Sequence, residues 1–263
     1  MSVSKYVKSE EEIQKMRVAG ALAAEVLEML APYVVKGVTT AELNDRAHHH
    51  ITEVQKAIPA PLNYRGFPKS ICTSVNHVVC HGIPKDKPLK NGDILNIDVT
   101  VIKDGYHGDT SQMFSVGPTS VAAKKVMRVA QECLYLGISM VKPGLSLKKL
   151  GAAIEGYALA QRCSSVYEYC GHGIGSDFHE SNFQVLHYDD ESIPEIILEP
   201  GLTFTIEPMI NSGSRHVRLL GDDWTVITKD RSLSAQWEHT VLVTEIGCEV
   251  LTKRKDEVIS LVS

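Results

Sequence analysis

Four carboxylates and one imidazole lie in short, recognisable segments of this 263-residue chain. They are Asp98 and Asp109 in NIDVTVIKDGYHGDT, His172 in CGHGIG, Glu207 in TFTIEPMI and Glu238 in AQWEHTV. Such a hard, mainly oxygen ligand set suits a pair of divalent metals that share carboxylates better than it suits a closed structural zinc site. If the five converge, they predict a two-metal site that makes hydroxide from water at neutral pH.

The two aspartates are predicted to share one face of a hairpin. Residues 94–102 alternate, with Leu95, Ile97, Val99 and Val101 on one face and Asn96, Asp98 and Thr100 on the other. Asp104-Gly105 is a strong turn signal. With these two as the loop, Asp98 pairs with Ser111 and Asp109 is its diagonal neighbour; with residues 103–104 as the loop, the aspartates are directly opposite. Both registers keep the carboxylates together, and the alternative is a solvated face with two unrelated acids.

The two glutamates interrupt apolar, strand-like segments. Glu207 lies within 204–210, and Glu238 precedes the apolar run 240–243. A glutamate in a buried strand is costly unless it is paired or metal-bound. Pro208 marks its strand as an edge or a bulge, and bulges often lie beside active sites. The alternative for Glu207 is an ion pair with Arg215 or Arg218.

Two histidines require separate roles. His172 is flanked by Gly171, Gly173 and Gly175, which permit close approach of backbone and ligand. His179 follows seven residues later, a spacing that matches no helical zinc motif such as HExxH. His172 is therefore a candidate ligand, and His179 needs a role of its own.

Taken together and in this order, the motifs resemble those of the methionine aminopeptidases of the short bacterial type I form, over nearly the whole chain. The matching segments are 80–84 (CHGIP), 91–93 (NGD), the hairpin from Asp98 to Thr110, 171–175 (GHGIG), 178–180 (FHE), 205–209 (TIEPM) and 237–240 (WEHT). The resemblance implies an α+β pita-bread fold with two pseudo-symmetric halves, in which a curved antiparallel sheet is flanked by helices. It also implies a dinuclear metal site and removal of the initiator methionine from nascent proteins when the second residue is small.

The resemblance also implies residue roles. Asp98 corresponds to the bidentate ligand of one metal, Asp109 and Glu238 to bridging carboxylates, and His172 and Glu207 to the other metal's ligands, with Glu207 also a general base. His81 and His179 correspond to histidines that contact the scissile amide and stabilise the tetrahedral intermediate. The methionine pocket corresponds to Tyr64, Phe67, Cys72, Phe178 and Trp224, and a monovalent-cation site to Asn76, Val78 and Ser234. The resemblance implies two divalent metal ions per chain, of Co, Mn, Fe, Zn or Ni, together with one Na or K ion.

Two pocket positions and one loop depart from the family pattern. Pro61 replaces a frequent cysteine at the pocket edge, and Phe67 replaces a frequent tyrosine. Both changes keep an apolar rim, so they bear on side-chain preference rather than on the chemistry. The segment 184–199 is longer and more acidic than usual, and a solvated loop is the default interpretation.

Two other functions remain as alternatives. A proline dipeptidase or aminopeptidase P shares the fold and ligand types but normally carries an extra N-terminal domain. A non-catalytic pita-bread protein that binds peptides, proteins or RNA would have broken ligand positions, whereas all five are intact here. The expected partners are nascent N-termini, with docking at the ribosome near the exit tunnel, and we expect a monomer.

Composition fits a globular protein of the cytoplasm. The chain is 43% hydrophobic and 22% charged, and its net charge of −5 argues against non-specific nucleic-acid binding. The first residues, MSVSKYVKSEEE, lack the apolar core of a signal peptide, and no apolar run is long enough for a membrane span. The six cysteines show no CxxC spacing, which is typical of reduced thiols.

The elements that must position these residues form two similar halves. Ser9 to Glu12 reads as a capping box that begins a helix with Met16, Leu27 and Leu30 on one face. Further helices are predicted over 40–55, 120–140 and 146–161. Sequence similarity between 37–43 and 144–150 suggests an internal duplication, with halves of about 10–117 and 118–252. No linker-like segment divides them, so 1–263 is predicted to be one domain.

Overall fold

A computed structural model describes residues 3–259 of the chain. The predicted domain, 1–263, includes residues 1–2 and 260–263, which lie outside the described residues. Among the described residues, no helix is long and apolar enough to cross a membrane.

Four helices form where the sequence predicts them: α1 Glu10–Leu30, α2 Thr40–His49, α3 Val121–Met140 and α4 Leu147–Ala160. Capping boxes on Ser9 and Thr39 begin α1 and α2, because each side chain accepts from a backbone N–H that lacks a partner in the first turn. The second predicted helix continues as a π-helical turn over His50–Val54, so 40–55 is helical almost throughout.

Fifteen strands are present in the described part of the chain, and all their pairings are antiparallel. They are β1 Ile58–Pro59, β2 Cys72–Val75, β3 Val78–Cys80, β4 Ile94–Lys103, β5 Tyr106–Ser115, β6 Ser164–Ser165, β7 Gly171–His172, β8 Gln184–Val185, β9 Thr203–Ile206, β10 Met209–Asn211, β11 Val217–Leu219, β12 Val226–Thr228, β13 Ser234–Gln236, β14 Glu238–Val243 and β15 Cys248–Val250. The mixture of helices and antiparallel sheets confirms the predicted α+β class.

The largest sheet has the order β1-β4-β5-β14-β15, with β2 also paired to β4 and β9 to β14. Smaller sheets are β13-β10-β6, β11-β12-β3 and β7-β8. The central β4–β5 hairpin turns at Asp104-Gly105, because Lys103 pairs with Tyr106. Of the two registers predicted, the one that pairs Asp98 with Ser111 is therefore the one formed.

The apolar face of the hairpin supports one hydrophobic core. Leu95, Ile97, Val99 and Val101 are fully buried and belong to the same cluster as Leu27 and other residues of α1 and α2. A larger cluster joins α3 and α4 to β9 and β14. Because alternation sends these side chains to the helical layer, the opposite face of the sheet is left for polar groups.

Each half of the chain begins with two helices and continues with strands. The boundary predicted near 117/118 lies between β5 and α3. The internal duplication and the single-domain assignment stay predictions. In the segment 184–199, Ile196 and Leu198 are buried while Glu191 extends to Lys148 at the surface.

Candidate active site

A cavity of about 380 Å³ opens on the polar face of the large sheet. Its walls contain all five predicted metal ligands, both predicted substrate-binding histidines and all five predicted methionine-pocket residues: Asp98, Asp109, His172, Glu207, Glu238, His81, His179, Tyr64, Phe67, Cys72, Phe178 and Trp224. Residues separated by up to 174 positions in the chain therefore line one site.

Strand register places the four acids on one face. Ser111 of β5 pairs with Asp98 on one side and with Glu238 on the other. Asp109 is two residues before Ser111, so its side chain has the same direction. Continuing the pairing of His239 with Ile206 by one residue places Glu207 opposite Glu238. The four carboxylates thus come from four neighbouring strands or their ends.

Glu207 lies at a corner where the chain leaves one sheet for another. The sequence suggests one strand through 204–210, but the chain has β9 in the large sheet, then Glu207-Pro208, then β10 in a small sheet. Proline has no N–H to donate to a ladder, which favours a break at this point. Pro208 is expected from the sequence to mark an edge strand or a bulge, and the chain instead ends one strand there and begins another in a different sheet.

Both oxygens of Glu207 accept hydrogen bonds. Thr205 Oγ1 donates to Oε1 at 2.8 Å and Gln236 Nε2 donates to Oε2 at 3.0 Å. The arginine alternative receives no support, because Arg215 stacks on the ring of Tyr167 at 4.0 Å. Asp109 is held similarly, since Thr100 Oγ1 donates to its Oδ1 at 2.7 Å.

His172 is brought to the acids by a close approach of two strands. A bridge between Gly173 and Phe204 joins its segment to β9, and the His172 N–H donates to Thr205 Oγ1 at 2.9 Å. A Cβ at Gly171 would lie 2.4 Å from the Thr205 carbonyl oxygen, so only glycine fits there. Glycine at position 171 therefore lets the backbone of the His172 segment pack directly against β9.

The imidazole of His172 points one nitrogen at the carboxylates. Nε2 lies 3.6 Å from Asp109 Oδ2 and 3.6 Å from Glu207 Oε1. Nδ1 is 3.2 Å from the Gly173 carbonyl oxygen, so we assign the ring proton to Nδ1. Burial lowers the pKa of His172 to about 3, and the ring is neutral with a free lone pair on Nε2.

The electrostatics of the acids call for cations. Burial raises the pKa of Asp98 to about 7. Burial, together with repulsion from the neighbouring carboxylates, raises the pKa values of Asp109, Glu207 and Glu238 well above their ordinary range. Several ionised carboxylates that are buried close to one another are unfavourable unless positive charge compensates them.

The donor set fits divalent metal ions. Ligand atoms of Asp109, His172 and Glu238 all lie within 4.8 Å of one another, and these three residues are buried. The 3.6 Å separations at His172 Nε2 are close to the roughly 3.4 Å between two ligands that each lie about 2 Å from one tetrahedral ion. Oxygen ligands with one imidazole suit Mn, Fe, Co or Zn rather than a thiolate-bound metal.

Two further histidines face the cavity as neutral rings. Burial lowers the pKa values of His81 and His179 to about 4, and neighbouring positive charge adds to the effect at His179. His179 Nδ1 is 3.0 Å from Tyr64 Oη. If the phenol donates, Nε2 of His179 carries the ring proton. His81 has a φ of 54°, a strained backbone conformation for a non-glycine residue that is often found at functional sites.

Aromatic rings form the apolar part of the wall. Phe67 meets Trp224 edge-on at 5.1 Å between centroids, and Tyr64 lies 5.0 Å from Phe178. Cys72 is buried, and burial raises the pKa of its thiol, which makes it an inert pocket residue rather than a nucleophile. All six cysteines are free. Pro61 also lines the cavity, as its position at the predicted pocket edge requires.

Sequence reasoning missed Thr205, Gln236, Thr100 and Tyr169. Tyr169 meets the ring of His81 edge-on at 5.5 Å. Thr205 and Gln236 each lie two residues before a glutamate ligand candidate, and strand alternation alone could have placed them on the same face. Tyr169 had no comparable signal, because it lies in a loop.

The residues predicted for a monovalent cation are also near one another. Ser234 N donates to the Asn76 carbonyl oxygen at 2.9 Å, and Val78 belongs to the adjacent strand β3. Ser234 Oγ is buried and has no hydrogen-bond partner within residues 3–259. Such an orphaned oxygen is an available ligand.

Comparison with known proteins gives a consistent result. The model of metallopeptidase family M24 matches residues 14–245. The chain is 60% identical over 254 residues to a methionine aminopeptidase of Salmonella typhimurium and 58% identical over 254 residues to one of Escherichia coli, with 96% of this chain and 96% of each relative covered.

Solved structures agree with the sequence relatives. The crystal structure of methionine aminopeptidase from Rickettsia prowazekii has a TM-score of 0.90 at 51% identity, covering 94% of this chain and 99% of that one. A prolidase from Pyrococcus horikoshii has a TM-score of 0.74 at 21% identity, covering 96% of this chain and 65% of that one, and shows likeness of fold alone. The predicted pita-bread fold is confirmed.

Proposed function

Because the chain belongs to metallopeptidase family M24, we infer that its buried carboxylate site hydrolyses peptide bonds and removes the N-terminal methionine of polypeptides. The observation that carries this conclusion is the convergence of four carboxylates and one neutral imidazole on a cavity that also has an aromatic wall. A peptidase needs both parts, since one activates water and the other selects the terminal side chain.

The five convergent residues would hold divalent metal, and we propose two ions. Asp98 would bind one ion, His172 and Glu207 the other, and Asp109 and Glu238 would bridge them. When bound, such a pair supplies a hydroxide at neutral pH and a Lewis acid toward the scissile carbonyl. Co, Mn, Fe, Zn and Ni all remain compatible with the ligand set.

Glu207 would accept the proton of the attacking water. Its two oxygens are fixed by Thr205 and Gln236, so the carboxylate is oriented before substrate binds. A carboxylate held in this orientation can accept a proton from water as a general base. It would then release that proton toward the leaving amine.

The two neutral histidines would bind the scissile amide. With Tyr64 donating to Nδ1, His179 can direct Nε2–H at the oxygen on which negative charge develops. His81 would form a hydrogen bond with the scissile amide nitrogen or assist protonation of the leaving amine. Both rings stay neutral at pH 7, because burial lowers their pKa values to about 4.

Substrate selection would come from the aromatic wall. We propose that Tyr64, Phe67, Cys72, Phe178 and Trp224 surround the methionine side chain, and that a narrow site favours a small second residue. Pro61 lacks a thiol and has a fixed φ, which leaves the pocket edge rigid.

Further proposals concern the environment of the site. A Na or K ion at Asn76, Val78 and Ser234 is supported by the unsatisfied Ser234 Oγ. Nascent N-termini would be the substrates, met by a monomer in the cytoplasm near the ribosomal exit tunnel. Nothing in the geometry favours the alternatives, a proline dipeptidase or a non-catalytic binding protein.

A peptide pair tests the function. Protein reconstituted with Mn²⁺ should release methionine from Met-Ala-Ser and leave Ala-Pro-Ala intact, with free amino acids measured by chromatography. Cleavage of Ala-Pro-Ala in preference would support the proline-specific alternative. Binding of either peptide without hydrolysis, in protein shown to hold metal, would support a binding module.

A further inference from the structure

A buried ion pair lies behind one wall of the active site. Lys8 Nζ is 2.5 Å from Glu180 Oε1, and the two side chains are only 5% and 4% exposed. Lys8 Nζ also donates to the Tyr6 carbonyl oxygen at 2.7 Å. Glu180 directly follows His179, so the pair joins the N-terminal segment to the segment that carries a substrate-binding histidine.

The segment 171–180 is built around this pair. A Cβ at Gly175 would lie 2.5 Å from Lys8 Cε and 2.8 Å from Glu180 Oε1. A Cβ at Gly173 would lie 2.7 Å from Glu180 Oε2. Two glycines of the GHGIG motif therefore make room for the ion pair, and the Glu180 N–H closes the segment by donating to the Gly173 carbonyl oxygen at 2.8 Å.

Stability alone does not account for this pair. Burial lowers the pKa of Lys8 and raises that of Glu180, so desolvation opposes both charges. Glu180 Oε2 is buried without a hydrogen-bond partner among the described residues. Apolar side chains of similar volume commonly replace such pairs without loss of stability. Compared with apolar side chains, an ion pair adds a directional bond, which fixes the orientation of each side chain.

Both ends of the pair are fixed to the framework of the site. Lys8 N donates to the Gly201 carbonyl oxygen at 2.9 Å, just before β9. On the other side, the ring of His179 packs at a tilt against that of His172, with 4.0 Å between centroids, and His179 forms a hydrogen bond with Tyr64. With Glu180 pulled inward by Lys8, the preceding side chain is directed into the cavity.

We propose that Lys8 and Glu180 are positioning residues that hold His179 in its catalytic orientation. The inference rests on the proposed role of His179. Neither residue touches substrate; they act through the backbone of 179–180. Loss of the directional bond should let His179 shift by about an ångström, a displacement that typically costs on the order of 100-fold in rate.

The test removes the bond without leaving a lone buried charge. In Lys8→Met/Glu180→Met, kcat per folded molecule should fall about 10–100-fold while KM changes by less than about 3-fold. Mn²⁺ affinity, measured by calorimetry, should stay near wild type because His172 is held separately by Thr205. In Glu180→Gln the amide oxygen still accepts from Lys8, so kcat per folded molecule should stay within about 3-fold of wild type, although the unpaired charge of Lys8 should lower stability. Lys148→Met, which breaks a surface pair in which Lys148 is 16% and Glu191 87% exposed, is the control and should behave as wild type.

Combining the double methionine change with His179→Ala distinguishes a role in orienting His179 from a general contribution to stability. If the pair acts through His179, adding Lys8→Met/Glu180→Met to the His179→Ala variant should lower its kcat by less than about 2-fold. Multiplicative effects, or a lower melting temperature with unchanged kcat, would overturn the inference. A drop in Mn²⁺ affinity would also overturn it, because the pair would then act on the metal ligands.

The result for His179→Ala alone separates the two levels of the argument. If that variant turns over normally, the proposed role of His179 fails and the inference fails with it. If it is impaired while the double methionine variant is not, only the inference fails. Should the double variant not fold, Glu180→Asp draws the carboxylate back by one methylene, and the same loss of kcat is expected.

Discussion

The hydroxyl of Thr205 connects two predicted ligands of one metal, and its removal should be measurable. Its proton goes to Glu207 Oε1 at 2.8 Å rather than to the His172 carbonyl oxygen at 3.5 Å. The same oxygen accepts from the His172 N–H at 2.9 Å. Thr205→Val keeps the shape and the strand preference of the side chain but removes both bonds.

The size of the effect follows from the two bonds. A hydrogen bond to a charged group contributes about 1.5–3 kcal/mol, which corresponds to roughly 10–100-fold in affinity. Loss of such supporting bonds around a metal typically weakens binding or activity by about the same factor. The orphaned His172 N–H should in addition lower the free energy of unfolding by about 1–3 kcal/mol, because Thr205 is fully buried.

The assay is Mn²⁺ titration by calorimetry with methionine release at saturating metal, together with urea unfolding of the metal-free protein. Thr205→Ser, which retains the hydroxyl, is the control and should stay within about 3-fold of wild-type affinity. Wild-type affinity and turnover in Thr205→Val would show that the hydroxyl does not orient the ligands, and the reasoning would be refuted.

Three other predictions follow from the same structure. Chelation should abolish methionine release, and Mn²⁺, Co²⁺ or Fe²⁺ should restore it; full activity in metal-stripped protein would exclude the metal site. His81→Ala should lower kcat about 10²–10⁴-fold with metal content unchanged, and loss of an equivalent of metal would show that His81 is a ligand. Although burial alone would raise the pKa of Glu257, bonds from His239 and Tyr135 and the charge of Arg254 lower it to about 2. Its carboxylate therefore stabilises the fold above pH 4.5, and this contribution is lost as the pH falls toward 2. Between pH 6.5 and 3.5, wild type should lose about 1.4 kcal/mol more unfolding free energy than Glu257→Gln, measured by urea titration in chelator; equal losses would contradict the assignment.

Local patterns predicted much of the framework. The capping boxes at Ser9 and Thr39 located two helix starts, and alternation with the Asp104-Gly105 turn narrowed the hairpin to two registers. Those patterns work because capping, pleating and turn geometry involve neighbours in sequence. The ligand roles of Asp109 and Glu238 came from family resemblance, since composition cannot distinguish a bridging acid from a terminal one.

Long-range pairing was beyond local reasoning. Nothing near Glu238 indicates that β14 lies between β5 and β9, and the break at Glu207-Pro208 appeared only as an expected edge or bulge. The contact between Lys8 and Glu180 spans 172 positions and has no local signature. It is selected by the closed fold, because its space exists only after Gly173 and Gly175 pack against the N-terminal segment.

The most direct test of the metal site is Glu238→Gln, which keeps the shape of a buried side chain and removes one proposed bridging charge. Two divalent cations held close together repel, and an anionic oxygen between them offsets that repulsion, which a neutral amide cannot do. Metal titration and methionine release from Met-Ala-Ser, on protein shown to be folded by circular dichroism, should reveal weakened metal binding and loss of most turnover. Wild-type metal affinity with wild-type turnover in the folded variant would contradict the proposed site.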